Sequence, residues 1–173
     1  MQREPKIRAA TIEDAAAIAR VVVETWQAAY RGQIPDSHLE GLNIAERTVF
    51  FEKELSRGFG HFLVAEEAGE VVGQCCVSPS RDQDAENGKV AEIIAIYVLP
   101  AFSGRGIGTA LCRWAKETAL KRGFKEMTLW TLDSNAPARR FYEARGFKLD
   151  AGTKMFKLAG GVELKEIRYR TTL

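Results

Sequence analysis

Apolar and polar positions divide the chain into short strand-like runs and longer helical stripes. Between Lys89 and Val98 the residues Ile93, Ile94, Ile96, Tyr97 and Val98 predict a strand, which Pro100 ends. Three glycines at alternate positions follow, Gly104, Gly106 and Gly108, and from Ile107 onward the residues Ile107, Leu111, Trp114 and Ala115 recur at helical spacing. Arg113, Lys116, Glu117 and Lys121 fall on the other side, so the glycine loop opens an amphipathic helix.

The remaining elements read in chain order around this centre. Lys6 to Ala9 suits a short first strand. Thr11, with Asp14 three residues on as a capping-box partner, starts a helix whose apolar face is Ala15, Ile18, Ala19, Val22 and Trp26. The periodicity then frays into AAYRGQIPDSHLEGL, a loop-rich segment interrupted by Gly32, Pro35 and Gly41 and carrying Trp26, Tyr30, Arg31 and His38. Trp26 and Tyr30 either line a pocket or seal the core beneath this loop. Ala45 to Leu55 predicts a second helix, and His61 to Glu67 and Glu70 to Pro79 a hairpin turning at Ala68 and Gly69. His61, a lone histidine beside apolar neighbours, reads as a capped or partly buried residue. The polar stretch SRDQDAENGK reads as a loop whose charges face solvent.

Past the glycine helix, Lys125 to Leu132 predicts a strand that pairs in parallel with the one before the glycines, since a helix connects them. In DSNAPARRFYEARGF, a cap-capable Asp133, Ser134 or Asn135 and Pro137 in the first turn open a short helix that Gly146 ends. Two last strands, around Met155 to Leu158 and from Val162 to Tyr169, join across Gly160 and Gly161. The expected fold is α/β, a mixed sheet of six or seven strands with helices on both faces.

Composition narrows the setting. The 173 residues are 46% hydrophobic and 28% charged, as in an ordinary single domain spanning 1–173. A net charge of +2 is too mild to point to nucleic acid. No apolar run reaches membrane-spanning length and MQREPKIR lacks a signal peptide's apolar region, so the expected address is the cytoplasm, with no membrane partner. Cys75, Cys76 and Cys112 form neither a disulfide framework nor a metal-binding pattern, and read as reduced, buried thiols.

Two features carry chemistry. Backbone N–H groups in a helix's first turn lack partners within the helix, and glycines let an anion approach them, so the loop is a candidate phosphate cradle. A nucleotide-hydrolysing loop would need Lys and Ser or Thr after its last glycine, where Thr109 and Ala110 stand, and a dinucleotide loop would need glycine at Thr109. A plain tight turn explains one or two of the glycines. The second feature is Glu92, between Ala91 and Ile93 on an otherwise apolar strand. Burying a carboxylate there is costly and would raise its pKa toward a range suited to taking a proton, unless it is solvated or paired with a cation such as Lys89.

Ser103 to Gly108 resembles the pyrophosphate-binding motif Q/R-x-x-G-x-G/A of the GNAT superfamily of acyl-CoA-dependent N-acyltransferases, departing from it only at Ser103. Asn135, Ala138, Phe141, Tyr142, Gly146 and Phe147 match its second motif, N-x-x-A-x-x-F-Y-x-x-x-G-F. The resemblance implies a mostly antiparallel sheet with a splayed parallel central pair, and acetyl-CoA as acyl donor with no metal. It implies a pyrophosphate site at Ser103, Gly104, Arg105, Gly106, Ile107, Gly108 and Thr109, with Asn135 touching the coenzyme. Backbone groups at Ile96, Tyr97 and Val98, freed by a bulge and splay, would hold the pantetheine arm and thioester. Glu92, fourteen residues before Gly106 (106 − 92 = 14), takes the family's general-base position, and Tyr142 would protonate the departing thiolate. Phe141 reads as a plain core aromatic, which is the alternative reading of Tyr142. Trp26 and Tyr30 would shape the pocket of a small-molecule amine. Acetylation of a protein lysine or N-terminus, or a non-catalytic acyl-CoA-binding module, are the alternatives, and self-association as a homodimer is compatible with all three.

Overall fold

A strand with no exposed position along its middle must be covered on both faces. From Val71 to Ser78 every residue of one such strand is buried. In a computed structural model, which describes residues 5–173, it is the third of seven: β1 Lys6–Ala9, β2 His61–Glu67, β3 Glu70–Pro79, β4 Val90–Val98, β5 Glu126–Leu132, β6 Lys148–Lys157 and β7 Glu163–Thr172. They form one sheet in the order β1-β2-β3-β4-β5-β7-β6, with β4 and β5 parallel and every other pair antiparallel. The helices are α1 Ala15–Ala29, α2 Asp36–Glu40, α3 Ile44–Arg57, α4 Ile107–Lys121 and α5 Ala136–Glu143.

Successive strand residues point to opposite faces, and β3 shows what covers each. A side chain at Gly73 would stand 3.1 Å from Leu111 and 3.2 Å from Ile107, so its absence lets α4 lie directly on the sheet. Cys76, three residues on, looks the other way, toward α3, whose Glu54 acts on its thiol. All three cysteines are buried and free, and burial pushes Cys76 up to about 12. The capping pair forms as expected: Asp14 accepts from the Thr11 amide at 2.7 Å and also holds Arg8 at 2.7 and 2.8 Å.

The parallel pair separates. Its register runs from Val90 opposite Glu126 to Ile93 opposite Leu129, although β4 continues to Val98 and β5 to Leu132. Between β3 and β4, Cys76 faces Ala95 while Val77 faces Ile93, which leaves Ile94 as the extra residue of a bulge. The bulge therefore lies two residues before the Ile96 to Val98 segment where the sequence reading put it. It turns the end of β4 away from β5, and a cleft opens between them.

Three expectations change. The segment after Trp26 is more ordered than read: α1 runs to Ala29 and the short α2 buries Leu39. The last two strands are longer than read, beginning at Lys148 and ending at Thr172, because β6 is an edge strand with no fully buried position and its composition hides it. The polar loop between β3 and β4 does not simply face water. Arg168 of β7, 7% exposed, receives Asp82 at 3.2 Å, Asp84 at 2.7 Å and Asp150 at 2.9 Å, and Asp82 also accepts from the Trp130 indole at 3.0 Å. A guanidinium out of water needs its charge compensated, and loop carboxylates supply the compensation.

Replacing this cation should destabilise the fold. Arg168→Met is expected to cost about 3 kcal/mol, the low end for breaking a buried pair because Asp84 can turn to solvent. That lowers the melting temperature by roughly 6–12 °C in a chain of this length. Arg168 holds the Asp84 carboxyl below the usual carboxylate range. A depressed carboxylate contributes stability above its unfolded value of about 3.9 and loses it as pH falls through the folded one. The gap in melting temperature between wild type and variant should accordingly shrink below about pH 4, which thermal melts across pH would check.

Candidate active site

The cleft opened by the splay has a volume of about 900 Å³. Its floor is β4 from Glu92 to Val98, one wall is the end of α1, and the other is α5 with the ends of β5 and β6. The glycine loop closes it beside Val98. Thr25 of α1 donates to the Val98 carbonyl at 3.1 Å and fixes that wall to the floor.

At the loop end, Gly104 (φ +78°) and Gly106 (φ +81°) have left-handed backbones that favour glycine, and a side chain built at either would meet no protein atom within 4 Å. The open space lies on the unpartnered N–H groups of α4, which has no side-chain cap. The third glycine has another cause: a Cβ at Gly108 would stand 3.1 Å from the Phe141 ring, so this position lets α5 approach α4. Ser103, Gly104, Gly106, Ile107, Gly108 and Thr109 all line the cleft. Arg105 does not. It turns away to Glu67 at 3.1 Å and lies over the Phe102 ring.

A cation that the sequence reading missed stands beside this loop. Arg145 lines the cleft, stacks 3.5 Å from the centroid of Phe141, and donates to the Phe141 carbonyl at 2.6 Å and to the Thr109 hydroxyl. Its buried Nε has no partner among the described residues. A charge next to the second motif, in YEARGF, was the only local signal for it. Asn135 lines the cleft too, and its side-chain oxygen caps α5 by accepting from Ala138 at 3.2 Å.

At the far end Glu92 is 1% exposed, as expected for a buried strand, yet it is not alone and its partner is not Lys89. Arg81, from the polar loop, donates Nη2 to Oε1 at 2.7 Å and both Nε and its backbone N–H to Oε2, at 3.2 and 3.1 Å. Lys89 is taken by Glu86 at 2.5 Å. Three of the carboxylate's roughly four acceptor directions are used, and the residue still lines the cleft. Tyr142 lines it between the two ends, 9% exposed and packed against Phe141 and Phe147. Burial pushes its hydroxyl pKa well up, so at neutral pH it keeps its proton and can donate it. Ile96, Tyr97 and Val98 face the same space.

Trp26 and Tyr30 meet edge to face at 5.0 Å, and Trp26 meets Phe156 at 6.5 Å. Both line the cleft and both pack on the small apolar cluster of Ile34, Leu39 and Leu158. Burial, with neighbouring Tyr97 second, raises the Tyr30 hydroxyl pKa. Trp130, Lys154, Phe156 and Glu166 also line this end and were not foreseen. His61 lies off the cleft, against Arg122, and burial followed by that cation lowers its pKa. Among the described residues no group of three or more His, Cys, Asp or Glu side chains is placed to hold a metal ion, and no helix is long and apolar enough to cross a membrane.

The family model described as Acetyltransferase (GNAT) family matches residues 20–147. The chain is 35% identical over 162 residues to the uncharacterized N-acetyltransferase YuaI of Bacillus subtilis, covering 93% of this chain and 89% of that one. Among solved structures it superposes on the PaiA N-acetyltransferase of Thermoplasma acidophilum in complex with coenzyme A, with a TM-score of 0.75, 20% identity and coverage of 99% and 100%. It also superposes on YncA of Salmonella typhimurium with acetyl-CoA, with a TM-score of 0.73, 24% identity and coverage of 99% and 95%.

Proposed function

The chain belongs to the acetyltransferase (GNAT) family, and on that premise we propose that it transfers an acetyl group from acetyl-CoA directly to a primary amine of a small molecule. The observation that carries the reading is one continuous cleft joining an anion cradle at Gly104 to Thr109 with a buried carboxylate at Glu92. The seven residues from Glu92 to Val98 span about 20 Å of extended chain, room for the arm of a long carrier.

Acetyl-CoA supplies the acyl group as a thioester, which an amine attacks only when neutral. The first-turn N–H groups of α4, with Arg145 beside them, suit the pyrophosphate. Backbone groups at Ile96 to Val98, beyond the last β4–β5 pairing, suit the pantetheine arm and the thioester carbonyl, where a fixed N–H stabilises developing negative charge. Glu92, through water on its remaining acceptor direction, takes the proton from the ammonium. Tyr142 gives its proton to the departing sulfur. The segment from Tyr30 to Leu42 supports a small acceptor: Ile34 and Leu39 pack on Leu158 beside the β6–β7 turn, and Gln33 accepts from Ser134 at 2.7 Å. We read this packing as leaving less room at the acceptor end than the open groove a polypeptide would need.

Release of free thiol from acetyl-CoA on addition of amines is the test. Coenzyme binding without amine-dependent thiol release would overturn the enzymatic reading in favour of a binding module. Tyr142→Phe should lower kcat roughly 100-fold, within the range for losing a general acid, and leave the KM for acetyl-CoA within about twofold.

A further inference from the structure

The charges at the acceptor end indicate which kind of amine it takes, an inference that rests on the acetyltransfer reading above. Among the described residues five charged side chains line that end, and four of them form two pairs: Arg81 with Glu92 at 2.7 Å, and Lys154 with Glu166 at 3.6 Å. Lys157, also lining the cleft, is matched by Glu163 at 3.1 Å. The end is therefore neutral overall. A diamine or longer polycation would call for surplus carboxylates, and among the described residues none lines this end.

The Arg81–Glu92 pair adds a constraint. An ammonium that comes to Glu92 competes with the Arg81 guanidinium for one carboxylate, and it places two positive charges side by side. Arg81 is free to swing, since its side chain is 53% exposed, whereas Glu92 at 2% is not. An acceptor that carries a carboxylate next to its amine resolves the conflict: the ammonium faces Glu92 and the carboxylate receives the guanidinium in the same two-pronged geometry. Trp26, Trp130 and Phe156 then offer an apolar wall for the rest of the molecule. An amine lacking the carboxylate leaves Arg81 without an anion.

We propose that the acceptor is a free α-amino acid with an apolar side chain, its α-amine directed to Glu92 and its α-carboxylate held by Arg81. The amine nitrogen bonds to the acetyl carbon as the carbon–sulfur bond breaks. One ammonium proton passes through water to Glu92 before attack; as the amide forms, Tyr142 gives its proton to the departing thiolate, which leaves as free thiol, and the second nitrogen proton returns to the Tyr142 oxygen.

The test is thiol release from acetyl-CoA with the apolar L-amino acids, each beside its carboxamide and its decarboxylated amine, and with 1,4-diaminobutane. For the best amino acid, kcat/KM should exceed those of its amide and amine by roughly 10- to 100-fold, the worth of a charge-assisted bond to a carboxylate. In Arg81→Met that ratio should fall to about one, and in Arg81→Lys it should fall part of the way. The ratio is taken within one protein, so a loss of folded material does not alter it; should Arg81→Met not fold, the wild-type panel and Arg81→Lys decide. An equal or greater rate with the decarboxylated amine or the diamine overturns the inference and leaves acetyl transfer standing. No thiol release with any amine overturns the acetyl-transfer reading and this inference together.

Discussion

Glu92→Gln is expected to lower kcat for acetyl transfer roughly 100- to 1,000-fold at neutral pH while the affinity for acetyl-CoA changes less than about twofold, the pattern for losing a general base outside the coenzyme site. The substitution is nearly isosteric; its amide oxygen still accepts from Arg81 on one side, while on the other the amide NH2 cannot accept and that contact with Arg81 is lost. It also loses the ability to take a proton. The sign of the pH dependence separates this from a structural defect. A primary ammonium whose pKa lies well above neutrality is mostly protonated at pH 7 and needs a base; near pH 10 much of it is already neutral. The deficit should therefore narrow steadily as pH rises toward 10. Steady-state thiol release at saturating coenzyme from pH 6.5 to 10 measures it, and a deficit of constant size would show that Glu92 holds structure and not a proton.

Gly106→Val should abolish productive coenzyme binding, raising the Kd for acetyl-CoA by roughly 100-fold or more, as expected when several charge-assisted contacts are lost together. Two effects separate here. The left-handed backbone at φ +81° is strained for a β-branched residue and costs about 1–3 kcal/mol of stability. The new side chain meets no protein atom within 4 Å, so further damage falls on whatever occupies the space over the first turn of α4. Gly69, at φ +83° in the turn between β2 and β3 and equally open, is the control. Gly69→Val should lower the melting temperature by a similar amount and leave coenzyme affinity unchanged. Calorimetric titration with coenzyme A, beside thermal melts of both variants, makes the comparison. Equal affinity in the two would remove the loop from the coenzyme site.

Much of the candidate site could be read directly because its parts are neighbours in the chain. Gly104, Gly106 and the cap-capable Asn135 lie at helix starts, where turn, cap and helix rules work, whereas Thr109 as a coenzyme contact and the role of Tyr142 were legible only through the resemblance to the family's motifs. Glu92 was visible as a polar residue that breaks an apolar run. Arg81 was not, because a polar loop of mixed charges looks the same whether its members face water or turn inward. Arg145 hid within a motif that marks its neighbours, and Arg105, in the middle of the glycine motif, turned away from the cleft because Glu67 on β2 offers an opposite charge.

By itself the sequence determined the run of elements, the parallel step from β4 to β5, the glycine loop at the entrance to α4 and the presence of a carboxylate within an apolar strand. Those follow from backbone preferences and from apolar spacing over a few turns of chain. Only the tertiary structure decided that β4 bulges at Ile94 and leaves β5 beyond Ile93, that Arg81 closes on Glu92, and that Arg168 holds Asp82, Asp84 and Asp150 in one place. The reason is physical: residues as many as 86 positions apart acquire an interaction energy only after strand register brings them within a few ångströms, and desolvation then obliges each buried charge to find its counterpart.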